Sequence, residues 1–355
     1  MSQFLQLHLL TFYPPSNLNR DDLGRPKSAS IGGVNRLRIS SQALKRTWRV
    51  SAPFEAALAG HLGKRTQRLG EVIEKHLLAQ NLAPEKAQKI AIEVATVFGK
   101  PEDGKDKNPV HTKQLAFISP QEREAALSLA DRIAAGEKFD PAKQAGEILR
   151  RTDTAADIAM FGRMLADNAD FNREAAVQVA HAFTTHKVSI EDDYYTAVDD
   201  LKLSSEDAGA GFLGEAGFGA GVFYIYICID RALLTKNLGG DVQLAGAACA
   251  ALVEAAATIS PGGKQASFAS RARAHFVLAE SGNAQPRTLA SAFLKPVTGQ
   301  DGDGNMLEAS IKNLQDVRTA MDKAYNPCWE KDELLNVLTG EGSLEAIKTF
   351  CQDFA

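Results

Sequence analysis

Apolar and polar positions alternate along this chain in registers that change several times, and each change marks a predicted element. "FLQLHLLTF", Phe4 to Phe12, is apolar enough for a strand buried on both faces, and Pro14-Pro15 are expected to stop it. The following segment, to about Ser30, mixes Asn, Asp, Gly, Pro and Ser and reads as an ordered or ligand-ordered loop. In "SIGGVNRLRIS" Leu37 and Ile39 alternate with Arg36 and Arg38 around a Gly32-Gly33 turn, so the two arginines would share one face of a strand. Ser40 or Ser41 then caps a predicted helix over "SQALKRTWR". On it Leu44 and Trp48, four apart, face the core, and Gln42, Lys45, Arg46 and Arg49 lie on the other side.

From about Pro53 to Phe171 the period becomes helical, as in "GEVIEKHLLAQNL", "EKAQKIAIEVATVFG" and "EREAALSLADRIAAG", broken by the charged "KPEDGKDKNP". Strand-like sequence on both sides makes this stretch an insertion. "VFYIYICI", Val222 to Ile229, is the most strand-like run; "VQLAGAACAALVEAAATIS" follows as a helix and "AHFVLAESG" as a further strand. The acidic and then glycine-rich segment ahead of Val222 reads as a long excursion or hairpin leaving the sheet. The order predicts an α+β fold of the ferredoxin-like kind with a helical insertion.

Composition narrows the class. The chain has 355 residues, 45% hydrophobic and 24% charged, which suits one large or two ordinary globular domains and not a disordered chain. The N-terminal apolar run has no basic stretch before it and no small-residue cleavage site after it, and nothing approaches the length of a membrane span. Cys228, Cys249, Cys328 and Cys351 are too far apart for a zinc ribbon or redox pair. The expectation is a soluble, cytoplasmic protein with reduced thiols and no contact with membrane.

Charge is unevenly spread. The net charge is −4, yet Asn17 to Val50 holds eight basic residues and two acids, a local excess of +6 that leaves −10 elsewhere. A phosphate backbone is a natural partner for such a patch; a solvated basic face is the plain alternative. The strand arginines, the helix N-terminus and the polar face of the helix would converge on one place, the geometry of an anion site.

Other motifs carry less. "GAGFLG", Gly209 to Gly214, matches a dinucleotide fingerprint by letter but lacks the strand before and helix after it, and reads as a flexible glycine loop. "DGDGN", Asp301 to Asn305, has Met306 where a calcium loop needs glycine, and reads as a surface turn. His181 and His186 lack a metal-binding spacing, and Asp192, Asp193, Asp199 and Asp200 read as an acidic loop rather than a metal centre. No catalytic constellation, metal or cofactor is predicted. Tyr194, Tyr195, Phe212, Leu213 and Phe218 are poor choices for a solvated loop; such side chains stack on or wedge between bases, or else pin the excursion to its own body or to a neighbouring subunit.

Taken together, "LNRDD", Lys27, "GG", "RISSQALKR", "FGRM", "AHAFTTHKV" with "YTAVDDL", "GVFYIY" and "PGGKQ" resemble the CasC family, the backbone subunit of the type I-E CRISPR surveillance complex Cascade, within the RAMP superfamily. The resemblance implies a non-catalytic RNA-binding protein shaped like a right hand, with an RRM-like palm, helical fingers and a thumb hairpin. It assigns residues 1–52 to the first part of the palm, 53–180 to the fingers and 181–355 to the second part of the palm, with the thumb at 187–221. Copies of such a protein line the CRISPR guide RNA beside other Cascade subunits, and the exposed bases pair with target DNA. Carried onto this chain, guide contacts fall on Lys27, Ser40, Gln42, Lys45 and Arg49, supported by Asn19, Arg20 and Arg38, with Met164 near a base and Tyr195 and Leu213 wedging beside a displaced nucleotide. Two other classes compete: a related ribonuclease using His186 or the Asp192/Asp193 pair, and a self-assembling protein whose basic patch holds an acidic protein.

Overall fold

The computed structural model describes residues 3–103, 107–197, 212–299 and 305–354. Its first strand, β1 (Phe4–Ser16), runs past Pro14-Pro15 instead of ending before them, and its pairing slips between Tyr13 and Ser16. Proline offers no N–H to a ladder, so the strand persists there only as an irregular stretch. β2 (Ser28–Ile31) and β3 (Val34–Ile39) form a hairpin turned by Gly32 and Gly33, both at positive φ. A Cβ on Gly32 would also collide with the Leu294 carbonyl, so that position is restricted twice. α1 (Ser41–Arg49) follows directly, and of the two candidate serines Ser40 is the cap, its Oγ accepting the Ala43 N–H. Leu44 and Trp48 are buried beneath it, each contributing about 1.5–3 kcal/mol of burial free energy.

Next come α2 (Ala52–Ala57), β4 (Lys64–Thr66), α3 (Leu69–Ala79), α4 (Pro84–Ala95), β5 (Ala116–Ile118), α5 (Pro120–Ala134), α6 (Pro141–Ile148) and α7 (Ala156–Phe161). Helices α3 to α6 bury Ile73, Leu77, Ile90, Val94, Leu129 and Ile148 in a core of their own, apart from the sheet. β4 and β5 pair antiparallel inside this otherwise helical stretch. Three residues per strand are too few to set up a readable alternation, so the ladder has no sequence signature.

The remaining elements are β6 (Val177–Val179), β7 (Ala182–Thr184), β8 (Glu191–Ala197), β9 (Phe212–Asp230), α8 (Arg231–Asn237), α9 (Val242–Thr258), α10 (Gln265–Phe268), β10 (Phe276–Gly282), α11 (Met306–Tyr325), β11 (Lys331–Asn336) and α12 (Leu344–Gln352). The class is α+β: one antiparallel sheet runs β11-β10-β1-β9-β7-β3-β2, with β6 and β8 also paired to β9. Leu5, Leu7 and Leu9 of β1 point to one face with Ile225 and Ile227 of β9, against α1, α9 and α12; Leu10, Tyr224 and Phe276 point to the other, against α11. α9 is apolar nearly all round and accordingly buried. Among the described residues no single helix is long and apolar enough to cross a membrane.

The excursion ahead of Val222 is a hairpin. β9 is 19 residues long, and its first part leaves the sheet to pair with β8 alone, from Glu191 opposite Phe218 to Ala197 opposite Phe212. Phe212, Leu213 and Gly214 are thus strand and not glycine loop, while Gly209 to Gly211 lie outside the described residues, as do Asp199, Asp200 and Asp301 to Gly304. Asn305, the end of the expected surface turn, caps α11 in a capping box with Glu308. The cysteines are free thiols, Cys228, Cys249 and Cys351 buried.

Candidate nucleic-acid interface

The β3-to-α1 turn is held by backbone. The Arg38 N–H donates to the Lys27 carbonyl and the Lys27 N–H to the Asn19 carbonyl, both at 2.8 Å, and Asn19 Oδ1 accepts the Ser40 N–H at 2.9 Å. Asn19, Lys27, Arg38 and Ser40 therefore form one network. The Asn19 amide oxygen and the Ser40 hydroxyl lone pair are spent on holding it, and Ser40 is buried. Arg38 reaches His181 Nδ1 at 2.9 Å; burial, and then the nearby Arg38 and Lys27 charges, hold this imidazole below its ordinary pKa, so it accepts from the guanidinium. Arg20 is exposed and, with Asn19, borders a separate opening lined by Asp21, Asp22 and Gly24.

Arg36 shares a face of β3 with Arg38, as the alternation predicts, but it does not join the expected anion site. Its side chain is 0% exposed, and its guanidinium donates to the carbonyls of Thr184 at 3.0 Å and Phe293 at 2.8 Å. It pins β3 to the layer on the far face of the sheet. Burying a guanidinium is tolerable because carbonyl oxygens take its N–H groups.

Beside this turn lies a cleft of about 470 Å³. One wall is the outer face of α1, with Gln42, Lys45, Arg46 and Arg49; the opposite wall is built by Arg65 of β4, Phe117 of β5 and the Phe161-to-Met164 segment. Lys45 is half-buried, and burial lowers its pKa. Arg49 lies over the Phe117 ring, 5.0 Å from its centroid, and its Nη1 is 3.6 Å from Asp157 Oδ2. Met164 is 80% exposed at the rim. Its neighbour Arg163 is buried, ion-paired with Glu122 and bonded to the carbonyls of Phe117, Arg150 and Phe171. Gly162 at φ 78° turns the chain there, so Arg163 anchors the segment and Met164 is left outside.

The structure thus brings Gln42, Lys45, Arg49 and Met164 into one cleft, with Asn19, Lys27, Arg38 and Ser40 in the adjoining network; Arg20 and Tyr195 do not line it. Arg65, Phe117 and Asp157 escaped the sequence reading. Each sits on a short element whose position depends on long-range packing, and no local pattern marks them. Chemically the cleft offers cations and an amide side chain on an open surface, which suits a run of phosphates better than the edge of a base.

The hairpin residues behave differently. Tyr195 lies directly across from Gly214, where a Cβ would meet its ring, so the ring covers the glycine as a cross-strand aromatic. Lys264 Nζ is 5.9 Å from the ring centroid. The Leu213 side chain lies outside the description, though its backbone pairs with Thr196. Phe218 packs on Phe268 with centroids 5.9 Å apart, Asn17 donates to the Gly217 carbonyl at 2.9 Å, and Arg25 pairs with Asp192 at 2.7 Å. These contacts tie the hairpin root to its own body, and of the hairpin aromatics it is Phe218 that takes part in them. His186 spends both ring nitrogens on backbone, accepting the Val222 N–H at 3.2 Å and donating to the Lys187 carbonyl at 3.1 Å. Among the described residues no group of three or more His, Cys, Asp or Glu side chains is placed to hold a metal.

Comparison with known proteins gives a consistent picture. The profile of the CT1975-like protein family matches residues 5–349. A chain from a solved "CRISPR RNA-guided surveillance complex, pre-nicking" superposes with a TM-score of 0.85 at 28% identity, covering 98% of this chain and 100% of that one. A chain from a "CRISPR RNA-guided surveillance complex" has a TM-score of 0.74 at 24% identity over 98% and 99% of the two chains, a likeness of fold. No curated protein matches.

Proposed function

The chain belongs to the CT1975-like protein family, and from that premise we propose that it is a non-catalytic, guide-RNA-binding backbone subunit of a CRISPR surveillance complex. The observation that carries this reading is the cleft of Lys45, Arg46, Arg49 and Arg65, a row of cations facing one acid, Asp157. Guide specificity comes from base pairing, so such a subunit has to grip phosphate and ribose without reading bases, and this cleft has the side chains for that. An acidic remainder disfavours nucleic acid elsewhere on the surface.

The finer reading follows the CasC resemblance. The spatial order β10-β1-β9-β7, with α1 between β1 and β7 and α9 between β9 and β10, supports an RRM-like palm. Residues 53–180 would be the fingers and the β8–β9 hairpin, within 187–221, the thumb. In a type I-E complex, copies of this chain would assemble along the guide in the cytoplasm, beside other subunits, and present its bases to target DNA. Engagement of His186 by backbone and of Asp192 by Arg25 favours a binding role over a ribonuclease.

Purified protein should bind unrelated RNA oligomers with similar, salt-dependent affinity, and Lys45→Ala with Arg49→Ala should weaken all of them alike. A loss confined to one sequence, or site-specific cleavage of precursor RNA abolished by His186→Ala, would overturn the reading. An assembly that survives nuclease and holds no RNA would favour an acidic protein partner instead.

A further inference from the structure

Asp157 sits on the first turn of α7, behind the cleft, with its side chain 1% exposed. Its Oδ1 accepts the backbone N–H groups of Gly63 and Ile158 at 2.8 and 3.0 Å. Its Oδ2 is buried and takes no hydrogen bond among the described residues; Arg49 Nη1, at 3.6 Å, is the cation that faces it. A carboxylate withdrawn from water in this way is costly unless a cation stays close. Arg49 is correspondingly fixed between two rigid groups, the carboxylate and the Phe117 ring, with 16% of its side chain exposed.

We propose that Asp157 is a positioning residue for the nucleic-acid cleft: it sets the Arg49 guanidinium in one orientation, so that the remaining N–H groups of the fork meet a backbone phosphate. This rests on the RNA-binding reading above. The planar guanidinium has two usable edges, and a carboxylate on one leaves the other pre-oriented for an oxyanion. Fixing the side chain before binding removes an ordering cost that Lys45 and Arg46, on the same helix, have to meet when the strand arrives. A strand that pulled Arg49 away would leave the buried carboxylate uncompensated, so the bound state keeps carboxylate, guanidinium and phosphate in series.

Burial pushes the Asp157 carboxyl up to about 6, against the lowering effect of the Gly63 and Ile158 N–H groups and Arg49. The ionisable groups on the elements around it are Lys45, Arg46 and Arg49 of α1, His61 ahead of β4, Lys64 and Arg65 of β4, Arg231 and Lys236 of α8 and Cys249 and Glu254 of α9; among described residues Arg49 alone comes within ion-pair distance. The pair therefore exists in neutral solution and is lost in mild acid.

The test is the affinity of the full chain for a uridine oligomer, whose bases do not titrate in this range, by fluorescence anisotropy at about pH 7.5 and about pH 5.5. The proteins are wild type, Asp157→Asn, Arg49→Ala, the double variant and Lys45→Ala. Asp157→Asn should bind roughly 3- to 10-fold more weakly in neutral solution, by the ordering cost of one long side chain. The loss should vanish in the Arg49→Ala background, and the advantage of wild type over Asp157→Asn should fade in acid. The asparagine keeps the Oδ1 acceptor and removes a buried charge, so the variant should melt no lower than wild type in neutral solution, which a merely structural aspartate would not allow. Unchanged affinity, or a loss that persists without Arg49, overturns the proposal. If the variant melts lower, wild type alone decides, and an affinity that does not weaken in acid overturns it. If Lys45→Ala weakens binding while Asp157→Asn does not, only this inference fails; if wild type does not bind, the RNA-binding reading fails and this inference with it.

Discussion

Two sets of arginines in this molecule carry the same charge to opposite ends. In the helical body Arg163 pairs with Glu122 and Arg173 with both oxygens of Asp153, all four side chains buried, and both guanidiniums also donate to backbone carbonyls. In the cleft, Arg46 and Arg65 line an open surface without ion-pair partners among the described residues, and Arg49 shares one buried acid. Pairing and burial turn an arginine into scaffold; exposure without a counter-charge leaves it for a ligand. Arg36 belongs with the first set although it lies two residues from Arg38 on the same strand. Basic residues in a sequence are therefore a mixture of two populations, and only packing separates them.

The separation can be strained hardest at Glu122. Glu122→Gln leaves the Arg163 guanidinium buried and uncompensated, and should cost about 3–5 kcal/mol in urea unfolding. RNA binding by the fraction that remains folded should be unchanged; a fully stable variant would show that the body arginines are not scaffold at all. A smaller effect is expected at Asp157, a buried acid like those of the first set but facing an arginine of the second. Its folded-state pKa, about 6, lies above the ordinary 3.8. The native state thus takes up this proton first: the contribution of Asp157 to stability is fully present below about pH 4, falls as pH rises through 6, and is lost above it. Relative to Asp157→Asn, wild type should gain at most about 3 kcal/mol between neutral and acid solution, read from unfolding curves at matched pH. A gain on going alkaline would reverse the sign and the assignment.

Lys45→Ala with Arg46→Ala removes cleft charge alone. Stability should move by less than about 0.5 kcal/mol, while the slope of log affinity for RNA against log salt should fall by about 0.7 for each phosphate that is no longer neutralised. An unchanged slope would mean the cleft cations meet no phosphate. The smallest effect is expected at Met164, exposed at the rim: Met164→Ala should leave melting unchanged and weaken RNA binding by about 1 kcal/mol or less, at or below the low end of what an aromatic side chain gains by stacking on one base.

How much of this was legible depended on how local the signal is. β9 and α9 announce themselves by composition, and α1 by the four-residue spacing of Leu44 and Trp48, so the cleft wall it provides could be read directly. On β3 the alternation correctly placed Arg36 and Arg38 on a shared side but could not tell which end of that side the far layer covers. Asn19 and Ser40 are polar residues in the right neighbourhood, and the fold uses one acceptor of each, Asn19 Oδ1 for the Ser40 N–H and Ser40 Oγ for the Ala43 N–H, which no local pattern marks. β11 was missed because an edge strand beginning Lys331-Asp332-Glu333 carries charge where a pattern search expects apolar residues, a common guard against unwanted pairing. Asp157 and Arg65 could not have been found, since their roles exist only once α7 and β4 are folded against α1.

The unbroken course of β9 from the middle of the sheet into the hairpin also limits how this chain can diverge. Within the ladder that pairs Glu191 to Ala197 with Phe212 to Phe218, side chains alternate between faces. A single inserted or deleted residue in either arm would flip every position beyond it, moving Tyr195 off Gly214 and Phe218 off Phe268. Lineages of this protein should therefore lengthen or shorten the paired part of the hairpin in steps of two residues, or carry a bulge wherever the step is odd.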